Sequence, residues 1–379
     1  MNPLSGLRIV HATSGHPADD DRIFFKEARS LVLAGAEVTL LCSDATKPPA
    51  NLYGVRYQTY PGGGALKRRL ITRRQLEAAL ADGRYDVIHC HEPDGLLAAL
   101  QVKRKTGIKV IFDSHEMWGA TLAQRFPPWS WRMISRGYQW QESRWIAQCD
   151  YAIGASWPIS DYMASILGAE NVTTILNVPV ADVFAPPVTK TWEDPITFCH
   201  DGHLRFDRGL KIMAEAIRQV SEHHPVRLKI VGDVFGEERD WLTEFIEKYR
   251  LKDVISRTGW LPYEQVGEAI APCHVGLIAL AQLPNNVVSS PNKMFNYMLY
   301  GMPFISPSFC VPQQKLVAEE RCGLLADSAD PASYADAMRW MILNKGETQA
   351  MADRAMSASL TKYRWEHMEP LLIGLYKHI

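Results

Sequence analysis

The stretch YDVIHCHEPDGLLAALQVKRKTGIKVIFDSHEMW, residues 85–118, decides the fold class. YDVIHCH (85–91) and KVIFDSH (109–115) are short apolar runs that end in polar residues. Between them, PDGLLAALQVKRKTG carries its apolar residues at helical spacing. A helix between two strands returns the chain to the same end of a sheet, so the strands run parallel. The polar ends HCHEPD and DSHEMW then lie together at the carboxyl end of the sheet, where open parallel sheets bind ligands.

The same alternation extends both ways. LRIVHA (7–12) and EVTLLCSD (37–44) read as strands around a helix, RIFFKEARSLVLAGA (22–36), that stops near Gly35. CDYAIGAS (149–156) and VTTILN (172–177) read as the closing strands of this half. A proline-rich segment, 178–195, follows, and then the pattern restarts. ITFCHDG (196–202), VRLKIVGD (226–233), VISRTGWL (254–261), HVGLIAL (274–280) and MPFISPS (302–308) are the strands, with amphipathic helices between them. SSPNKMFNYMLYG (289–301) predicts a further helix, with Ser290 as its cap, Pro291 at its first position and Gly301 as its stop. Lys293, Asn296 and Tyr300 fall on one exposed stripe of it. The expectation is two α/β units in tandem, with a ligand cleft between them.

Bulk composition narrows the function. In 379 residues, hydrophobic side chains make up 47% and charged ones 22%, the balance of a globular chain. A net charge of −1 argues against a dedicated nucleic-acid binder. No apolar run is long enough to cross a bilayer, and MNPLSGLRIV does not read as a secretory signal. The seven cysteines are scattered, with no C-x-x-C pair, which reads as reduced thiols in a cytoplasmic protein.

Chemistry is expected at the strand ends. HATSGHPADDDRIF lacks the G-x-G-x-x-G turn of dinucleotide binders. His16 sits in its Gly/Pro turn as a site candidate, and Asp19, Asp20 or Asp21 can cap the next helix. His89 and His91 alternate on one strand end and point the same way. With no third ligand in sequence register they do not read as a metal pair. His91 is either a cleft residue or a structural histidine, and Glu92 and Asp94 read as caps. Asp113, His115 and Glu116 crowd one strand end, the setting in which proton affinities are tuned for catalysis. In the second half, Gly202 allows close backbone approach, and Arg208 and Lys293 each open a helix. Two cations at two helix starts suit a diphosphate. Gly259, Trp260 and Leu261 form an apolar loop that either flanks a nucleobase or packs in the core.

Two segments concern surfaces. GGGALKRRLITRRQ (62–75) carries five basic residues in eight positions, and residues 125–145 carry four tryptophans and four arginines. Interleaved aromatic and basic residues suit a membrane interface or an amphipathic acceptor groove; the alternative is a solvated basic face with packing tryptophans.

The order of these motifs resembles the GT-B glycosyltransferases, closest to the family-4, group 1 type of bacterial polysaccharide assembly. HPADDDRIFFKEARSLVLAGAEVTLL, DVIHCHEPDGLLAAL, VIFDSHEMW, GHLRFDRGL, LKIVGD, GWLPYEQV, SPNKMFNYMLYGMPFISP and KYRWEHMEPLLIGLY carry the resemblance over nearly the whole chain. It implies two Rossmann-like domains: residues 1–180 for the acceptor, 181–355 for the nucleotide-sugar donor, and a helix at 356–379 crossing back to the first. It implies transfer of a sugar from a UDP- or GDP-sugar to a glycan or polyprenyl-diphosphate-linked acceptor. That transfer would be retaining and metal-independent, without a cofactor and without nucleic acid, on the cytoplasmic side and peripheral to the inner membrane. His115 falls beside the donor sugar, Arg208 on the diphosphate, and Lys293 on the phosphates or sugar. Gly202, Gly259, Trp260, Leu261, Ser290, Pro291 and Asn292 complete the donor side, and His16, Asp20, His91 and Glu116 the acceptor side. Asn296 departs from the pattern, since the family carries a glutamate there for the ribose diol. Two other functions are implied: an inverting, glucuronosyltransferase-like enzyme, with Asp113, Glu116 or His91 as base, and a non-catalytic sugar-nucleotide-binding subunit.

Overall fold

A computed structural model describes residues 2–43, 47–48, 51–61, 66–181 and 190–379, with the backbone alone at 66–71 and 263–264. Most of the 62–75 basic segment and the centre of the 178–195 linker therefore lie outside the described side chains. The chain divides into two compact units. The first is Met1–Asn177 with Glu366–Ile379, and the second is Val178–Trp365.

The first unit holds seven parallel strands: β1 (Arg8–Ala12), β2 (Glu37–Ser43), β3 (Arg56–Tyr60), β4 (Val87–Cys90), β5 (Lys109–Ser114), β6 (Tyr151–Gly154) and β7 (Val172–Thr174). Their order is β3-β2-β1-β4-β5-β6-β7. The sense of winding reverses between β1 and β4, the topological switch point at which such sheets bind ligands. His11 on β1 and His89 on β4 are register partners across that switch. The second unit repeats the scheme with β8 (Ile196–Asp201), β9 (Val226–Val231), β10 (Ile255–Arg257), β11 (Val275–Leu277), β12 (Phe304–Pro307) and β13 (Gly323–Ala326). Their order, β10-β9-β8-β11-β12-β13, puts the switch between β8 and β11. The inward-facing Phe198, Leu228, Ile230, Val275 and Leu277 bury against Leu210, Met213, Ala214 and Ile217 of the Leu210–Ser221 helix. Residues buried on both sides explain why these strands read as continuous apolar runs.

Several expectations change. The 22–36 segment begins as a π-helical stretch, Ile23–Ala28, before the short α-helix Arg29–Leu33. The strands β3 and β13 do not stand out in the sequence. RYQTY is an edge strand with mostly exposed side chains, and GLLA is only four residues long. Residues 356–365 stay with the second unit. The helix Lys345–Thr361 packs on Asn292–Leu299, and Tyr363 stacks on Phe295 at 5.5 Å, so the break falls at Glu366. Of the expected terminal helix, only Glu366–Ile379 serves the first unit, where the Tyr376 hydroxyl lies 2.7 Å from His89 Nδ1.

Candidate functional site

Each unit gathers polar side chains at the carboxyl ends of its strands. In the first unit the centre is Asp113, at the end of β5. Both its oxygens accept from the Arg22 guanidinium, at 2.9 and 3.0 Å. Arg22 also donates to the carbonyl of Ile175 at 2.7 Å and lies 3.0 Å from Glu27. Burial alone would raise the proton affinity of Asp113, but Arg22 and His115 outweigh it and hold the carboxyl well below its usual range. Glu27 goes the other way: burial, then the charge of Asp113, pushes it well up. Arg22 and Asp113 therefore offset each other's charge, and Glu27 beside them holds its proton more tightly than a free carboxyl, as burial demands.

Four imidazoles line this group. His11 Nδ1 meets His91 Nε2 at 3.0 Å, and His91 Nδ1 meets His115 Nε2 at 3.2 Å. Burial and the neighbouring rings hold His11 and His91 well below 6.5. As neutral rings, each offers one donor and one acceptor, so the contacts form a directional chain. If His91 donates to His115, then His11 donates to His91. The unpartnered Nε2 of His11 is then an acceptor, which is the cheaper atom to leave buried and unpaired.

Could the cluster hold a metal ion? Ligand atoms of His11, Glu27, His89 and His91 lie within 4.8 Å of one another, as do those of His91, Asp113 and His115. Its atoms are already engaged: His11 Nδ1 meets His91 Nε2, His91 Nδ1 meets His115 Nε2, and both oxygens of Asp113 accept from Arg22. The residues therefore fit a hydrogen-bonded cluster better than an open coordination sphere.

Around this buried base, the loop after β1 is tightly held. Glu92 accepts from the Thr13 hydroxyl and the backbone N–H of Ser14 and Gly15, at 2.6, 2.9 and 3.0 Å. It therefore staples this loop and does not cap its own helix. Asp20 caps the Ile23–Ala28 turn, through the N–H groups of Arg22 and Ile23, and its other oxygen lies 3.0 Å from His16 Nδ1. Burial would lower the proton affinity of His16, but Asp20, then Glu92 and Asp113, raise it to about 9. A histidine raised from 6.5 to about 9 on folding adds stability that is complete below pH 6.5 and lost as pH rises through 9. His16→Gln should flatten that dependence, removing about 1–3 kcal/mol at pH 6 and little at pH 10. Urea unfolding at several pH values checks it; parallel curves for the two proteins would refute it.

In the second unit the site forms at the end of β8. Lys293 is buried in the first turn of the Asn292–Leu299 helix, with its ammonium 3.0 Å from His200 Nε2. His200 Nδ1 faces the carbonyl of Leu277 at 3.2 Å and donates to it, so Nε2 is free to accept from Lys293. Burial first, and then the Lys293 charge, hold His200 well below 6.5. Burial, with Arg208 adding to it, lowers Lys293 to about 8 against the pull of Asp201. One turn on, Asn296 donates to Asp201 Oδ2 at 2.8 Å. Gly202 has φ +95°, and a Cβ there would stand 3.7 Å from the Lys293 ammonium. The Gly202 carbonyl lies so close to Gly232 that any Cβ on the latter would collide with it. The next loop holds Gly259 at φ +75° and an exposed Trp260 whose backbone N–H donates to Asp233 Oδ1 at 3.0 Å.

The structure thus brings together His16, Asp20, His91 and His115 in the first unit, and Gly202, Asn296 and Lys293 in the second. Arg208 is exposed on the Phe206–Arg208 turn and close enough to Lys293 for its charge to act there. Glu116 turns away and accepts from Thr121 at 2.8 Å. His91 is fully buried with both nitrogens engaged, so it seats His115 and offers no face to an acceptor. The Lys293–Asn296–Tyr300 stripe is buried, not exposed. Ser290 makes no cap, because Pro291 itself is the N-cap and Asn292 opens the helix. Trp260 is no core residue, and Leu261 beside it is half-buried. His200, Asp201, Arg22 and Glu27 were not singled out in the sequence. For His200 and Asp201 the available signal was their place at the end of a buried strand beside Gly202.

Residues 22–178 match the family model described as Glycosyltransferase Family 4, and residues 196–344 match that described as Glycosyl transferases group 1. The phosphatidylinositol N-acetylglucosaminyltransferase gpi3 subunit of Schizosaccharomyces pombe is 23% identical over 275 residues, 69% of this chain and 56% of that protein. The putative colanic acid biosynthesis glycosyltransferase WcaL of Escherichia coli is 26% identical over 155 residues, 40% of this chain and 37% of that protein. The matched stretches thus span about half or less of these relatives. Among solved structures, Anabaena Alr3699/HepE in complex with UDP aligns with a TM-score of 0.77 at 14% identity, covering 98% of this chain and all of that one.

Proposed function

We propose, for a chain that belongs to the family 4 and group 1 glycosyltransferases of GT-B fold, that it moves a sugar from a nucleoside-diphosphate sugar to a glycan or lipid-linked acceptor. The observation that carries this reading is Lys293. An ammonium buried in a helix's first turn, seated on a neutral histidine, with a glycine backbone beside it and Arg208 near, suits a further anion beyond Asp201. A diphosphate supplies that anion and restores full protonation of the lysine. UDP in the similar Anabaena structure supports uracil as the base. The names of the curated relatives support a lipid or polysaccharide acceptor and a role in bacterial surface polysaccharide synthesis. A lipid-linked acceptor would place the reaction at the cytoplasmic face of a membrane.

The transfer is retaining and independent of metal. The leaving diphosphate takes the acceptor proton on the same face, while Arg208 and Lys293 stabilise its growing charge. One observation favours a second, inverting reading: His115 Nε2 lies 3.4 Å from the Asp113 carboxylate, as a general base would. NMR of the product's anomeric configuration separates the two. The first test is a thermal-shift series with UDP, GDP, TDP, ADP and CMP, since a selective ligand raises the melting temperature. If none of them does so, the donor reading fails.

Asn296 has a physical reason in this chain. Asp201 stands opposite and supplies the carboxylate for the ribose, with the Asn296 amide donating to it. Asn296→Glu would face two carboxylates at hydrogen-bond distance, and is expected to cost about 1–3 kcal/mol of stability together with nucleotide affinity. Asn296→Glu with Asp201→Asn should recover most of both. Calorimetry and nucleotide titration on the single and double variants check this; a neutral single variant would contradict it.

A further inference from the structure

The helix Trp131–Ile146 and the turn before it present a face that neither unit's core uses. Trp129 is 82% exposed, Met133 68%, Trp140 59% and Phe126 48%. From Trp129, steps of four, three, four and four lead through Met133, Arg136 and Trp140 to Arg144. That is a single stripe along the helix, apolar and cationic by turns. Arg125, Arg132, Arg136 and Arg144 are all exposed, and none forms an ion pair among the described residues. Arg144 lies instead over the Trp140 ring, at 3.7 Å. The one acid between 125 and 149, Glu142, is buried and turned inward to the Tyr162 hydroxyl, at 3.4 Å. The exposed charges of this segment are therefore all positive.

Two features choose the occupant. Exposed tryptophans with a methionine form an apolar ridge a few ångströms deep, and tryptophan prefers the boundary between headgroups and acyl chains. The surrounding arginines have no acidic counterpart within their own segment and match a surface of dense, diffuse negative charge. We propose that the Trp129–Arg144 face docks the protein on an anionic lipid bilayer, the tryptophans entering the interface and the arginines lying among the headgroups. This deepens the membrane location proposed above and names its contact surface. It is read by vesicle binding alone, so failed docking and failed sugar transfer are separate results.

The test is cosedimentation of the full chain with vesicles of phosphatidylcholine alone, or with about 30% phosphatidylglycerol, at low and raised salt. The native chain should bind the anionic vesicles, bind the neutral ones at least about tenfold more weakly, and release as salt rises. Tryptophan emission should shift to the blue on binding. Each arginine near such a surface contributes about fivefold, so Arg132→Glu with Arg136→Glu should lower partitioning by at least about 25-fold. Trp129→Glu with Met133→Glu should abolish the blue shift. All four sites are exposed, and circular dichroism confirms that the variants fold. Arg239→Glu, on an exposed site of the second unit, should bind as the native chain does. Native-like vesicle binding by both double variants, equal binding to neutral vesicles, or no binding at low salt overturns the proposal. So does a native dimer in light scattering that the Trp129/Met133 variant turns into a monomer, since the face would then be a protein interface.

Discussion

Lys293→Ala is expected to lower sugar transfer by about 10²–10³-fold, the usual cost of losing a charged group that stabilises a leaving oxyanion. The side chain is only 9% exposed, so water cannot replace the missing ammonium. Lys293→Arg should not rescue, because the seat is shaped by His200 for a point donor and the planar guanidinium is larger. The lowered proton affinity of Lys293 adds a signature. With the lysine titrating at about 8, the free protein holds its full charge below pH 8 and loses it above. Nucleoside-diphosphate affinity should therefore fall as pH rises beyond 8, by up to tenfold per unit, and this dependence should vanish in Lys293→Ala. Isothermal titration across pH 6–10 and initial rates with the donor found by thermal shift provide the readouts. Near-native turnover in Lys293→Ala would remove the lysine from the mechanism.

The largest expected effect on stability is that of Asp113→Ala. It would leave Arg22, almost wholly buried, without the carboxylate that takes two of its hydrogen bonds, and with Glu27 and the Ile175 carbonyl as its remaining close partners among the described residues. Stranding a buried charge in this way costs about 3–5 kcal/mol, a large part of the roughly 5–15 kcal/mol that a domain has in hand. Glu27 should then hold its proton less tightly, since the charge of Asp113 is, after burial, a cause of its raised proton affinity. Arg22→Met with Asp113→Leu, which removes the pair together, should cost much less. Denaturant unfolding of the first unit, followed by tryptophan emission, measures both. A loss below about 1 kcal/mol in Asp113→Ala would mean that the guanidinium finds water.

The parallel strands were legible because their residues are buried on both faces, which writes them as apolar runs in VIHC, VIFD and TFCH. RYQTY was not, because an edge strand needs no such run. The polar strand ends could be found by position alone: His115, Gly202 and Lys293 follow from where a strand stops or a helix starts. Their partners could not. His11 meets His91 only because β1 and β4 are neighbours, a fact of sheet order that lies far from either segment in sequence. The exposed stripe assigned to Lys293 and Asn296 failed for the same reason. Helical periodicity shows which residues share a face, and only the packing of β8 against that face shows that it is covered. Asn296 was visible as a departure from a family pattern, whereas its cause, Asp201, became visible only with the 2.8 Å contact.

The placement of the Trp365–Lys377 helix has a consequence for the order of events on the ribosome. The second unit is one continuous piece of chain, 178–365, and can close as soon as that piece has emerged. The first unit, although synthesised earlier, must wait for residues 366–379, because Tyr376 comes from there to meet His89. Domains usually mature in the order in which they are made. In this protein the order is reversed: the half made first is finished last, and its polar centre stays unsealed until translation has passed the whole of the other half.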